Sequence, residues 1–251
     1  EYLSEEKIQT KRTMVSILAM VVGCFSKAVY IPFLALYWLM PKDKFYSRRQ
    51  KNLFKAGIFV LLILMFASFI LPLIGNVTSG AEVGDYRGGD TSQTSQLSMI
   101  LGYPLTYTGV LLKSLGTTFA SYFIGSKVLA NFAYRGIYDG IGYFVVLLTM
   151  LFTFVTDFGM TEKIYDAQIK RKIFIMKIWN AVLIFGTTCL VWTALYLDFT
   201  PVGSMVINGV SPRYYLPLIF PLSLIFINQK VRCSMKLENY QSLIAFLMLI
   251  G

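Results

Sequence analysis

The chain contains no histidine, and only 14% of its 251 residues are charged, against 56% that are hydrophobic. So little polar surface cannot clothe a water-soluble globule of this size, which excludes a soluble domain and points to a bilayer. Without histidine, the commonest general base is missing, so acid–base chemistry has to rest on carboxylates, lysines or tyrosines. Cysteine is equally uninformative as a framework. Cys24 and Cys189 lie in apolar stretches and Cys233 in a basic connector. They show no C-x-x-C and no metal-ligand spacing, which excludes a zinc site and a disulfide scaffold. Also absent are an initial methionine and a signal peptide, and the last apolar run, from Leu243, stops at Gly251. This is the pattern expected of a piece of a larger protein.

What the chain does have is long apolar windows. Ala56–Gly75, Ile137–Thr156, Ile178–Leu197 and Tyr214–Asn228 approach or exceed the roughly 17–25 residues that a helix needs to cross the hydrocarbon core. The 23 basic residues give a net charge of +10, but their placement argues against a nucleic-acid partner. Three lie in the N-terminal tail (Lys7, Lys11, Arg12), and most of the rest fall in connectors around Lys42–Lys55, Lys163–Lys177 and Lys230–Lys236. Short basic connectors between apolar spans follow the positive-inside rule. The lipid bilayer is the first partner.

Each complete crossing must carry the chain from a basic inside to a basic-poor outside, and two segments break this alternation. Thr13–Met40 is apolar for about 28 residues, too many for one crossing between two basic flanks and too few for two at about 20 residues each. The solution is a broken hairpin of two short helices that enters and returns, with Gly23, Ser26, Lys27 and Pro32 marking the break and Lys27 near its tip. Gln96–Ile124 is the second. Leu97, Leu101, Leu105, Leu111, Leu112, Leu115, Phe119 and Tyr122 recur at helical spacing, which predicts one amphipathic helix on the outer surface, kinked at Pro104. The expected fold is therefore all-α, a polytopic membrane helical bundle. Its spans are 56–75, 137–156, 178–197 and 214–228, the hairpin is 13–40, the surface helix is 96–124, and an incomplete span starts at 243–251.

Several landmarks carry a resemblance to a known family. They are the hairpin with Ser26-Lys27 at its break, Gln96-Leu97 with Tyr103-Pro104, and above all Thr200-Pro201-Val202-Gly203 followed by Gly209-Val210-x-x-Arg213-Tyr214-x-x-Pro217. The chain resembles the C-terminal part of a DUF family of bacterial polytopic membrane proteins grouped with the GT-C glycosyltransferases. The resemblance implies a GT-C-like fold of many transmembrane helices in the bacterial cytoplasmic membrane. It also implies a reaction chamber facing outward and a polyprenyl-phosphate-linked sugar as donor, with a glycan acceptor. The catalytic acid of such enzymes usually lies in a first outer loop, which this chain does not include.

Among the candidate site residues, Arg213 has a physical logic of its own. A guanidinium at the rim of a span offers a planar fork of donors suited to phosphate oxygens. Tyr214 and Tyr215 are placed to anchor at the interface or to stack on a sugar or prenyl group. The competing reading is an arginine that snorkels to lipid head groups. Lys27, costly near mid-membrane, should face protein, water or an anion. It either meets a lipid-linked phosphate or reaches a carbonyl at the hairpin tip. Glu82, Asp85, Asp90, Asp139 and Asp198 are the carboxylates available outside, with Asp85 and Asp90 flanking Arg87 in a glycine-rich loop as the catalytic candidates. Their spacing is too common to signal a metal site. No cofactor is evident. Three functional classes fit: a glycosyltransferase-like enzyme, a transporter or flippase of a lipid-linked glycan, and a membrane scaffold.

Overall fold

A computed structural model describes residues 7–25, 27–79, 89–123, 148–153, 156, 167–226 and 234–250. Among them every regular element is helical, as the composition requires. The chain divides into two compact units, Glu1–Leu111 with Phe185–Gly209, and Leu112–Ile184 with Val210–Gly251.

The first unit opens with a hairpin. Helix α1 (Thr10–Phe25) leads to Lys27, whose extended backbone (φ −154°, ψ 110°) breaks the helix before a 3-10 helix over Ala28–Leu39. The Lys27 amide donates to the Cys24 carbonyl, while the Lys27 carbonyl accepts from Tyr30, so one helix closes where the next opens. Pro32 lies within this 3-10 helix and supplies no amide to the Val29 carbonyl. Winding sets length. Sixteen residues at about 1.5 Å and twelve at about 2.0 Å give two arms of about 24 Å each, both short of a bilayer core of about 30 Å.

Cross-links fix the two arms side by side. The hydroxyls of Ser16 and Tyr37 share a hydrogen bond midway. At the base, Ile8 N donates to Lys44 O (3.0 Å) and Lys7 Nζ to Asp43 O (2.6 Å), over a cluster of Ile8, Met40 and Phe45 that is joined by Phe54. Both basic flanks therefore meet at one end, and Lys27 stands at the other.

Helix α2 (Arg48–Ser79) follows a 3-10 turn at Lys42–Lys44 and runs back along the hairpin. Ring contacts trace its path from base to tip: Phe45 on Phe54 (5.3 Å), Trp38 on Phe59 (5.9 Å) and Phe25 on Phe69 (6.5 Å). Ile58 and Met65 are buried, whereas Phe59, Val60, Ile63, Leu64, Ile70, Leu71 and Ile74 are exposed. A soluble protein would bury such residues. Arg48–Asn76 (mean hydropathy 2.8) and Lys170–Phe199 (1.8) are long and apolar enough to cross a membrane.

The predicted amphipathic helix is two helices, α3 (Gln93–Gly102) and α4 (Pro104–Phe123), parted at Tyr103 (φ −133°, ψ 60°). Ser92 caps α3 by accepting from Ser95 N, and Pro104 opens α4, where a missing amide costs nothing. The expected leucine face divides. Leu115 is buried, but Leu101, Leu105 and Leu112 are exposed, and the side chains that bury are Gln96, Tyr107, Val110 and Ser114. Hydrogen bonding explains the difference. Tyr107 OH pairs with Thr193 Oγ1 (2.6 Å) and its ring lies 5.1 Å from that of Tyr196, so a polar and aromatic seam turns inward and leaves the leucines outside.

Helix α5 (Ala167–Phe199) supplies the other side of that seam. It is apolar on both faces: Ile173, Met176, Leu183, Ile184, Val191, Trp192 and Tyr196 are buried together with Asn180, Thr187 and Thr188, while Phe174, Ile178, Val182 and Phe185 are exposed at intervals of three and four. In lipid the outer face is apolar and polar groups turn towards neighbouring helices.

In the second unit, a 3-10 helix (Pro212–Leu218) passes into α6 (Ile219–Phe226), and α7 spans Leu237–Ile250. Pro212 starts the 3-10 helix and Pro217 lies within it, so the first third of the expected 214–228 span is wound more tightly than an α-helix. Residues 148–153 are helical, but most of the expected 137–156 span lies outside the described residues. There Tyr240 of α7 packs on Phe152 (5.9 Å) and shares a hydrogen bond with Thr156 (3.1 Å).

Candidate functional site

The loop after α5 is closed by its own residues. Thr200 is fully buried; its hydroxyl donates to Leu195 O and accepts from Asn208 N, both at 3.1 Å. Ser204 N donates to Pro201 O (3.1 Å) around Gly203 at φ +79°, the pattern of a type II turn, which requires glycine at its third position. Gly209 sits at φ +77°, and a Cβ there would lie 2.3 Å from Phe199 Cδ1. The backbone conformation and the close approach both demand glycine. The glycine of the Gly-Val-x-x-Arg-Tyr-x-x-Pro element thus latches the loop's two ends.

Helix α3 grips this loop through a polar clamp. Gln96 is fully buried, and its Nε2 donates to Thr200 O (2.9 Å) and Pro201 O (3.0 Å). One turn earlier, Gln93 Nε2 donates to the Asp198 carboxylate. Carbonyls and carboxylates only accept, so both amide orientations are forced. Among the described residues Gln93 Oε1 and Gln96 Oε1 are buried without a donor. Backbone completes the clamp, with Val202 N donating to Asp90 O at 3.2 Å. Sequence reasoning singled out Gln96 as the entry to a helix and missed its hold on Thr200. A glutamine on an otherwise apolar face was the available signal.

Arg213 lies on the first turn of the Pro212–Leu218 helix, exposed, with its guanidinium carbon 5.5 Å from the centre of the Tyr214 ring. Stacking on an aromatic face holds the planar group while leaving its N–H edges open. Tyr214 N donates to Ser211 O (3.0 Å), which fixes the turn that carries both. Tyr214 is half-buried, but Tyr215 is buried with 2% exposure. The two tyrosines differ in placement: the Tyr214 ring faces the cation, while Tyr215 is packed inside and offers no free face for stacking.

The remaining candidates are dispersed. Lys27 is exposed at the hairpin tip, and Asp90 is exposed in the first unit beside the clamp. Arg213 belongs to the second unit, where its guanidinium meets the Tyr214 ring. Glu82, Asp85, Arg87 and Asp139 lie outside the described residues. Lys44, expected merely to mark the inner side, is buried with 1% exposure. Among the described residues no group of three or more His, Cys, Asp or Glu side chains is arranged to hold a metal ion.

Two helices long and apolar enough to cross a membrane, both with exposed apolar faces, describe a membrane protein. One family model agrees: it is described as a predicted membrane protein, DUF2142, and matches residues 2–222. No curated protein and no solved structure matches the chain. With nearly nine-tenths of its length matched, including the Gly209–Pro217 element, the chain belongs to the DUF2142 family of membrane proteins.

Proposed function

We propose that this protein is a multi-pass, GT-C-like glycosyltransferase of the bacterial cytoplasmic membrane. It would use a polyprenyl-phosphate-linked sugar in cell-envelope polysaccharide assembly. The observation that carries the reading is the exposed Arg213 guanidinium held over Tyr214 at the start of an apolar segment. A cation fixed there suits a phosphate whose prenyl tail stays in lipid. In the transfer step the acceptor hydroxyl attacks the anomeric carbon and gives its proton to a carboxylate. The bond from that carbon to the phosphate oxygen breaks, and the electron pair leaves with the polyprenyl phosphate. Arg213 stabilises the charge that grows on the leaving oxygen. The carboxylate belongs to the outer region, with Asp85 and Asp90 as this chain's candidates and the GT-C resemblance favouring an acid in an earlier outer loop. No nucleotide takes part.

The test is sugar transfer by the purified full-length protein from a polyprenyl-phosphate donor. Replacing Arg213 by Ala should lower turnover by about 10²–10³-fold, as loss of one charge-stabilising donor does elsewhere. Arg213→Lys should retain part of it. Unchanged transfer in Arg213→Ala would remove this residue from the site.

A second reading, a flippase for a lipid-linked glycan, is favoured by the hairpin that carries Lys27 at its tip. Broken helices and intramembrane cations are features of transport sites. Movement of a labelled lipid-linked glycan across reconstituted vesicles without any sugar transfer would favour that reading over the enzyme.

A further inference from the structure

At the basic end of the hairpin, where α1, the Phe45 turn and α2 meet, a crevice of about 220 Å³ opens to the surface. Thr10, Thr13 and Met14 line one wall and Leu53 and Phe54 the other, with Phe45 at the back; apolar surface dominates it. Met14 and Leu53 are both more than 60% exposed at its mouth. Neither the enzymatic nor the transport reading uses this crevice.

Charge around it is one-sided. Up to Lys55, leaving out the hairpin tip, stand nine cations, Lys7, Lys11, Arg12, Lys42, Lys44, Arg48, Arg49, Lys51 and Lys55, against the four carboxylates Glu1, Glu5, Glu6 and Asp43. Two of these cations border the crevice by helical register. Lys11 follows Thr10 and lies one turn before Met14, while Arg49 precedes Gln50 and lies one turn before Leu53. Both are exposed. An apolar slot with cations at its mouth, at the end of a membrane-crossing helix, matches one amphiphile: an acyl chain below an anionic phosphate.

We propose that this crevice is a binding site for one anionic phospholipid of the inner leaflet. An acyl chain lies between Met14 and Leu53, and the phosphate lies on Lys11 and Arg49. Basic clusters beside membrane-crossing helices attract anionic lipid through their charge, and the slot adds a place for the chain. Occupancy would brace α1 against α2 at the point where Lys7 and Ile8 already close the hairpin.

The test is native mass spectrometry of the full-length protein in mild detergent, titrated with phosphatidylglycerol or phosphatidylcholine. One phosphatidylglycerol should be retained at a concentration roughly tenfold lower than phosphatidylcholine. Two variants attack the site differently: Leu53→Trp fills the slot, and Lys11→Gln with Arg49→Gln removes the charge. Each should lower phosphatidylglycerol retention by about tenfold, while Lys236→Gln, an exposed cation of the second unit, should not. If Leu53→Trp does not fold, the charge variant still decides. Equal retention of the two lipids, or retention of phosphatidylglycerol indifferent to the charge variant, overturns the proposal. So does a slot filled by another segment of the chain, which would retain neither lipid.

Discussion

Phe25, the last residue of the first hairpin arm, packs against Phe69 of α2 at 6.5 Å between ring centres. This one contact sets the depth of the hairpin. From Ala56, where the apolar part of α2 begins, to Phe69 is about 20 Å along the helix axis, roughly two-thirds of a 30 Å bilayer core. If α2 crosses a bilayer, the tip would neither emerge nor stay at the surface. Three residues past Phe69, Pro72 leaves the Ser68 carbonyl without its helical donor, so the tip abuts the weakest turn of α2.

A nitroxide attached to Lys27→Cys in reconstituted bilayers should therefore report a depth of about 20 Å from the basic-end boundary. Power-saturation measurements with oxygen and a water-soluble nickel complex read that depth directly. A value at either head-group layer would contradict the hairpin as a re-entrant element.

Gly209→Ala should cost stability twice. The left-handed backbone carries about 1–2 kcal/mol for any residue with a Cβ, and the clash with Phe199 adds about 1–3 kcal/mol. Thermal unfolding in detergent measures the sum, and repeating the change in a Phe199→Ala background isolates the first part. Equal effects in both backgrounds would show that the ring does not press on Gly209.

Gln96→Leu leaves the Thr200 and Pro201 carbonyls without their donor and should lower stability by about 1–3 kcal/mol. Gln96→Glu should be worse, because a carboxylate only accepts and would face two carbonyls. The order Glu below Leu below wild type in melting temperature is the expected result; a Glu variant as stable as wild type would place the clamp elsewhere.

Tyr214→Leu removes the ring beneath Arg213 but keeps its bulk. An exposed cation–π contact contributes about 0.5–1 kcal/mol, so retention of polyprenyl phosphate should weaken by about two- to fivefold. Tyr214→Phe should retain it. The comparison, made by equilibrium binding, separates ring support from the phenol's own hydrogen bonding.

Much of this organisation was legible in the sequence because bilayers restrict it so tightly. Basic residues on both sides of an apolar run of the wrong length suggested a returning hairpin, and in the structure a helix closes before Lys27 and another opens after it. The Pro104 break was equally plain, since proline is best tolerated in the first turn of a helix. Tertiary preference was harder to read. In Gln96–Phe123 the leucines dominate any hydropathy pattern, yet Tyr107 and Gln96 decide the buried face through specific partners on α5. Lys44 shows the same limit: among nine cations near the hairpin base, nothing in its type distinguishes the one that is buried. For Arg213, sequence identified the residue and its aromatic neighbours, and only geometry assigned Tyr214 to the cation and Tyr215 to the interior.

The proposed function requires the Pro212-Arg213-Tyr214 corner to face the outside of the cytoplasmic membrane and the basic residues around Tyr46 to face the cytoplasm. Single cysteines at Ser211 and Tyr46, in a background with Cys24, Cys189 and Cys233 replaced by serine, test it in intact bacterial cells. A membrane-impermeant maleimide should label the Ser211→Cys protein in whole cells and the Tyr46→Cys protein only after lysis. Labelling of Tyr46→Cys but not Ser211→Cys in whole cells would invert the topology and contradict the account.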